Sequence, residues 1–303
     1  MVMVRKLLTK PIWWWERKRS YPIRSQFDKL PPISVRPALR RFLVLTTPDT
    51  VSDALWAAWS WYRFVRDMGF ALELAVDGTI SAADLAAASR LFPGISMYEA
   101  KSVCRYVCER EPALETFLYN HPTGRKFALM LALSDQGPVL YSDYDVLAFK
   151  PPGELLSCIQ RNVSCYFLED VDGTRDAAIV ARAKAIGLDY IPRFNCGFLY
   201  FPEGTLPMKS AAEILAAWRP PGDSWYAEQT VLSIMLRSVN AEALPADRYV
   251  ISARRQFYWE KDVDYNQIVA RHFTGTVRHV MYRYGLPILL RQSRSNEKGM
   301  GNA

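Results

Sequence analysis

Apolar runs of strand length alternate with stretches of helical periodicity along most of this 303-residue chain. "RFLVLTT" (41–47) precedes "SDALWAAWSWYRFVRDMG" (52–69), which has Ser52 as a candidate N-cap and Gly69 as a stop. "FALELAVDG" precedes "SAADLAAASRLF", where Ser81 and Asp84 hold capping-box positions, and "GISMYEA" follows as a short third strand. A helical stretch over 109–135 leads to the strand "PVLYS". Then come "SCYFLE", the helical "RDAAIVARAKAIG", the strand "FNCGFLYF", helices over 208–218 and 225–237, and a late strand in "QIVARHF". This alternation predicts an α/β protein with a mainly parallel central sheet flanked by helices.

In such sheets functional residues gather at the carboxyl ends of strands. Thr46 and Thr47 stand there after the first strand, Asp77 after the second, and Asp143 and Asp145 after "VLYS". A buried, unpaired carboxylate costs several kcal/mol or takes up a proton, so "VLYSDYDVLAF" asks for a positive partner.

Charge is unevenly placed. Residues 1–41 hold eleven Lys and Arg against Glu16 and Asp28, a net of +9; the whole chain carries +7, so residues 42–303 carry −2. The basic arm, 1–40, contains "KPIWWWERKR", in which Trp13, Trp14 and Trp15 suit either a membrane–water interface or a groove on the protein's own body. Lys10 and Pro11 break its one apolar run, and no stretch approaches the ~18–20 apolar residues of a membrane span. The expectation is a cytoplasmic protein, peripheral at the membrane face if the arm binds lipid, with no nucleic-acid module. "PPISVRPALRR" reads as a linker, placing the body at 41–290 and a disordered tail at 291–303. The five cysteines lack a framework spacing and read as reduced thiols; Cys104 and Cys108 share a helix face without a further ligand nearby.

Three Asp-x-Asp pairs compete for attention: Asp143/Asp145, Asp170/Asp172 and Asp262/Asp264. "SCYFLEDVDGT" resembles the first motif of haloacid-dehalogenase-like phosphatases, in which the first Asp attacks phosphorus and the second moves a proton, and "GDS" at 222–224 imitates a later acidic motif. Against it, Glu169 separates Asp170 from the strand, and no strand precedes Asp223. The same residues equally make a helix N-terminus with Thr174 as cap. The third pair lies in a polar, loop-like stretch.

The first pair has company. "VLYSDYDVLAF", "FNCGFLYF", "YAEQTVLSIML" and "RHFTGTVRH" resemble, in order and spacing, the retaining GT-A glycosyltransferases that include glycogenin and the bacterial lipopolysaccharide galactosyl- and glucosyltransferases. The resemblance covers roughly residues 41–285 and implies one catalytic domain using a nucleotide-sugar donor, UDP-linked, with Mn²⁺ or Mg²⁺. It implies Asp143, Asp145 and His272 as metal ligands, with Asp143 also reaching the donor ribose. His272-Phe-Thr-Gly275-Thr-Val-Arg278 matches the family's His-x-x-Gly-x-x-Lys element, Gly275 and Arg278 facing the diphosphate, with Arg in place of Lys. Asn195 stands where the family contacts the donor sugar, and Gly197 lets backbone approach the ligand. Glu228-Gln229 resembles an Asp-Gln element near the anomeric carbon, lengthened by one methylene. Thr46 and Thr47 are expected along the nucleotide, Asp77 at the base and Lys126 near the donor. A glycan or lipid-linked molecule is the expected acceptor. A GT-A domain that binds sugar nucleotide without turnover stays open, because Glu228 and Arg278 both depart from the family pattern.

Overall fold

The computed structural model describes residues 22–161, 165–171, 173, 175–216, 218, 225–251 and 263–300, with Trp15 and Arg19. Trp13, Trp14, Asp172, Thr174, Asp223 and Asp262 lie outside the described residues.

Seven strands form the main sheet: β1 (Arg40–Thr46), β2 (Phe70–Val76), β3 (Ser96–Glu99), β4 (Val139–Asp143), β6 (Tyr166–Glu169), β7 (Phe194–Phe201) and β8 (Glu242–Ala243). Their order across the sheet is β3-β2-β1-β4-β7-β6-β8. β7 pairs antiparallel with both β4 and β6, and the other pairs are parallel, so β7 alone runs against the rest. Its amino end therefore lies among the carboxyl ends of its neighbours, beside Ser142 and Asp143.

The sheet separates two cores, as continuous apolar strands buried on both faces require. Phe42, Val44, Leu140, Phe198 and Tyr200 point into one core, and the alternate residues Leu43, Val139, Tyr141, Leu199 and Phe201 into the other. Helix α1 (Val51–Val65) packs on the first face. On the side of the second core lie α3 (Lys101–Arg110), α4 (Glu115–Asn120), α5 (Gly124–Ser134), α7 (Ala177–Ala185), α8 (Met208–Leu215) and α9 (Ala227–Ser238); α2 (Ala82–Leu91) and α6 (Gly153–Arg161) complete the set.

A second sheet of three short strands has the order β5-β10-β9: β5 (Val146–Ala148), β10 (Ala270–His272) and β9 (Tyr249–Ile251). The late strand expected within "QIVARHF" is thus real but belongs to this small sheet. Helix α1 pins it. Trp61 Nε1 donates to Val146 O at 3.0 Å, its ring stacks on Phe198 at 4.1 Å, and Ser60 Oγ accepts from Ala148 N at 3.0 Å.

Local signals mostly behave as their chemistry dictates. Ser81 caps α2 through Asp84 N, and Gly69 closes the segment after α1 with φ 75°. Ser52 is not a cap; Thr47 and Thr50 form a capping box one turn earlier, and α1 starts at Val51. All five cysteines are free, and no described helix is long and apolar enough to cross a membrane.

Two boundaries move. The body does not begin at Arg41: Leu30, Ile33 and Val35 are buried, and Ile33 N and Val35 N donate to Leu91 O and Pro93 O at 2.9 and 2.7 Å. Arg24 Nε pairs with the fully buried Asp53 of α1 at 2.7 Å, and Tyr282 OH donates to the other oxygen of Asp53 at 2.9 Å. The chain from 291 is not disordered up to 300 either. Helix α10 (Leu286–Met300) continues through it because Leu286, Leu289, Leu290 and Ser293 form a buried stripe on one face.

Candidate functional site

The chain crosses from one sheet to the other between Asp143 and Asp145. Asp143 ends β4, Tyr144 makes the crossing, and β5 starts at Val146. His272 ends β10 opposite Val146, and Phe273 N donates to Asp145 O at 2.8 Å. Two strand ends and one crossing thereby bring three ligand-type side chains together. The ligand atoms of Asp143, Asp145 and His272 all lie within 4.8 Å of one another. His272 Nε2 is 3.3 Å from Asp145 Oδ1 and 4.0 Å from Asp143 Oδ2.

The orientation of the imidazole follows from its neighbours. Asn195 Oδ1 accepts from Gly197 N at 2.9 Å, which identifies that atom as the amide oxygen. The same oxygen faces His272 Nδ1 at 3.1 Å, so Nδ1 carries the proton. Nε2 then faces two carboxylates, a cluster that calls for positive charge. Metal-bound histidines are commonly oriented by such a bond from the other ring nitrogen. Ligands about 2.1 Å from a small octahedral ion stand roughly 3 Å apart when adjacent and roughly 4 Å when opposite. The separations of 3.3 and 4.0 Å therefore fit a shared divalent ion with small shifts.

Both carboxylates also have protein cations against them. Arg278 donates through Nη2 and Nε to one oxygen, Asp145 Oδ2, at 2.6 and 3.0 Å, while its guanidinium lies over the Tyr144 ring at 5.0 Å. Burial alone would raise the Asp145 carboxyl, but Arg278 first and His272 second hold it well below the usual carboxylate range. Lys126 Nζ stands 3.2 Å from Asp143 Oδ1 and 3.5 Å from Glu228 Oε1, and Tyr141 OH donates to Asp143. Burial works against the Lys126 ammonium, but Asp143 and then Glu228 keep it charged. Burial pushes the Glu228 carboxyl up, opposed by Lys126.

All thirteen residues picked from the sequence line one cavity of about 540 Å³: Thr46, Thr47, Asp77, Lys126, Asp143, Asp145, Asn195, Gly197, Glu228, Gln229, His272, Gly275 and Arg278. Their local partners qualify several expected roles. Asn195 engages its oxygen with Gly197 and His272. Gly197 makes room for a side chain of the protein, since a Cβ there would lie 2.5 Å from His272 Nδ1 and 2.9 Å from Asn195 Oδ1. Asp77 pairs with Arg125. Thr46 and Thr47 each share a hydroxyl contact with Thr50 Oγ1 at 2.9 Å. Arg278 holds Asp145. Gly275 opens the turn at the rim, with φ 31°. Gln229 Nε2 is buried without a hydrogen bond among the described residues, and Glu228 Oε1, also without one, has the Lys126 ammonium 3.5 Å away.

Tyr141, Tyr144, Cys196, Trp225 and Tyr226 were not singled out in the sequence, yet Tyr141 donates to Asp143 and the other four line the cavity. Cys196 lies 3.3 Å from Lys126 Nζ and 3.5 Å from Glu228 Oε2, and burial with Glu228 beside it keeps its thiol protonated. The signal for Trp225 was an aromatic pair directly ahead of "AEQ"; its side chain is 67% exposed at the mouth. Asp170, the phosphatase candidate, also borders the cavity. His121 is structural, buried and stacked on Phe117 at 4.7 Å. Asp264 accepts from Asn266 N in an exposed turn.

No family model and no curated protein matches the sequence. Solved structures do match. The WbbM bifunctional glycosyltransferase in its apo form aligns with a TM-score of 0.50 and 14% identity, over 80% of this chain and 47% of that one. The chain therefore spans about half the length of that relative. Mouse xyloside xylosyltransferase 1, apo, aligns with a TM-score of 0.51 and 11% identity over 81% of this chain and 99% of that one. The galactosyltransferase LgtC, in complex with donor and acceptor sugar analogues, gives 0.51 and 17% over 78% and 87%. Identities this low speak for architecture, and on that ground this chain has the GT-A fold of the glycosyltransferases.

Proposed function

We propose that this protein is a divalent-metal-dependent glycosyltransferase that moves a sugar, with retention, from a UDP-sugar to a glycan or lipid-linked acceptor. The observation that carries the reading is His272, held through Nδ1 by Asn195 so that Nε2 aims at Asp143 and Asp145. Mn²⁺ or Mg²⁺ held by these three would supply Lewis-acid neutralisation of the charge that builds on the departing nucleoside diphosphate. The chain's own residues do the rest. Thr46, Thr47 and Asp77 form the wall that receives the nucleotide. Lys126 holds Asp143 in place and keeps a fixed positive charge inside the cavity. Arg278 offers a fork suited to phosphate oxygens. Gln229, with its unbonded Nε2, and Glu228, beside Lys126, would face the transferred sugar from the cavity wall.

The test is thermal stabilisation by UDP with Mn²⁺, on the wild type and on Asp145→Asn. UDP at about 100 times its dissociation constant adds roughly 2.7 kcal/mol, which should raise Tm by about 5 °C or more. The shift should require the metal and vanish in Asp145→Asn. No shift with UDP or any other nucleoside diphosphate sinks the reading. Nucleotide release from UDP-glucose and UDP-galactose separates an enzyme from a domain that only binds. Metal-dependent hydrolysis of p-nitrophenyl phosphate, abolished by Asp170→Asn, would instead favour the phosphatase.

A further inference from the structure

Asp145 is buried to within 3% of its surface, and one of its two oxygens accepts two guanidinium N–H groups. The other oxygen faces His272. A divalent ion joining Asp143, Asp145 and His272 would share Asp145 with a guanidinium that never loses its charge. Within a site of reduced dielectric the two cations repel each other far more strongly than in water. Arg278 retains 24% exposure of its side chain and stands on the turn that follows His272, at the rim of the cavity, so it has somewhere to go. A nucleoside diphosphate brings several negative charges to that rim and matches the fork of the guanidinium.

We propose that Arg278 is a competing cation. In the ligand-free protein it occupies Asp145 and opposes the metal; the diphosphate of the donor draws it off, so metal and nucleotide each bind weakly alone and tightly together. The inference rests on the donor and metal reading above and adds to it a reason for binding order. By reciprocity, whatever factor UDP contributes to Mn²⁺ affinity, Mn²⁺ contributes to UDP affinity.

The experiment measures Mn²⁺ binding to the full chain from the loss of the free-ion electron paramagnetic resonance signal, with and without UDP. In the wild type UDP should tighten Mn²⁺ by a factor within the ~5–150-fold range usual for coupled sites. Arg278→Gln should tighten Mn²⁺ in the absence of UDP by about tenfold, since a unit charge beside the ion is removed. The same variant should weaken UDP and shrink the coupling. These opposed signs set the idea apart from plain damage to the site, which weakens both ligands. Arg278→Lys, which keeps a charge but lacks the fork, should retain the coupling and tighten Mn²⁺ by a smaller factor; it carries the test if the glutamine variant does not fold. Mn²⁺ affinity without UDP that stays level or falls in the variants overturns this inference alone. If Mn²⁺ binds no form of the protein, with or without UDP, the glycosyltransferase reading fails and takes this inference with it.

Discussion

Replacing Arg24 by methionine should lower Tm by about 6–10 °C at pH 8. Arg24 Nε is the charged partner of Asp53, which is wholly buried in α1. Removing one member of a buried pair leaves the other uncompensated, at a cost of about 3–5 kcal/mol; in a chain of this size each kcal/mol is worth about 2 °C. The loss should depend on pH with a definite sign. Burial already pushes the Asp53 carboxyl above its ordinary range, against the pull of Arg24 and then Tyr282. Without Arg24 it rises further. A carboxyl whose folded pKa is raised favours the fold while protonated, and that contribution is lost as pH rises through the folded value. Arg24→Met should therefore be less damaging at pH 5 than at pH 8 by calorimetry. Equal losses at the two pH values would mean that the ion pair is not the cause. The double variant Arg24→Met/Asp53→Leu should recover much of the loss, because it leaves no buried charge behind.

A methyl group at position 197 should disconnect His272 from the aspartates. A Cβ on Gly197 would intrude on the imidazole, 2.5 Å from Nδ1, and press on Asn195 Oδ1, 2.9 Å away, the atom that orients the ring. The ring sits between β7 and β10 and cannot yield without leaving Asn195. Overpacking of this kind costs about 1–3 kcal/mol, so Gly197→Ala should still fold. Its effect on ligands should be larger. Losing the orienting bond alone commonly costs about 10–100-fold in metal affinity, and here the ligand itself is displaced. Mn²⁺ titration of Gly197→Ala that matches the wild type would show that His272 is no part of a metal site.

Acid should act on the site through Asp145. Burial raises its carboxyl, but Arg278 and then His272 hold it well below the usual range. A depressed carboxyl contributes stability above its unfolded value, about 3.9, and loses it as pH falls further. Asp145→Asn should accordingly flatten the decline of Tm with pH below about 4 relative to wild type.

The residues that could be read from the sequence were those whose chemistry clashes with their surroundings. Asp143 and Asp145 interrupt an apolar run, and His272 precedes a glycine and a cation at a telling interval; all line the cavity. Fold class was legible for a related reason, since helical and strand periods leave different marks on composition. Strand direction leaves none. Nothing in "FNCGFLYF" says that β7 runs backwards, although that reversal is what sets Asn195 and Gly197 beside Asp143. Arg24 was invisible because it is one of eleven basic residues in its segment, and only its partner Asp53 distinguishes it. "PPISVRPALRR" looked like a linker because only Ile33 and Val35 of its side chains are buried; its backbone, paired with Leu91 and Pro93, holds it down as well. The polar tail hid α10 because a one-face stripe of Leu286, Leu289 and Leu290 is diluted by charged residues on the other faces.

The crossing at Tyr144 has a consequence for how the protein is made. Asp145 waits for Arg278 across 133 residues, and Asn195 waits for His272 across 77. At about 5–20 residues per second, the aspartates leave the ribosome roughly 7–27 s before the arginine that neutralises one of them. Through that interval β4 can pair with β1, while the small sheet lacks its middle strand. The cavity itself is incomplete at this stage, because His272, Gly275 and Arg278, which line it, have not yet been made. A nucleotide held as proposed would thus report that the segment carrying His272 and Arg278 has been made and has docked.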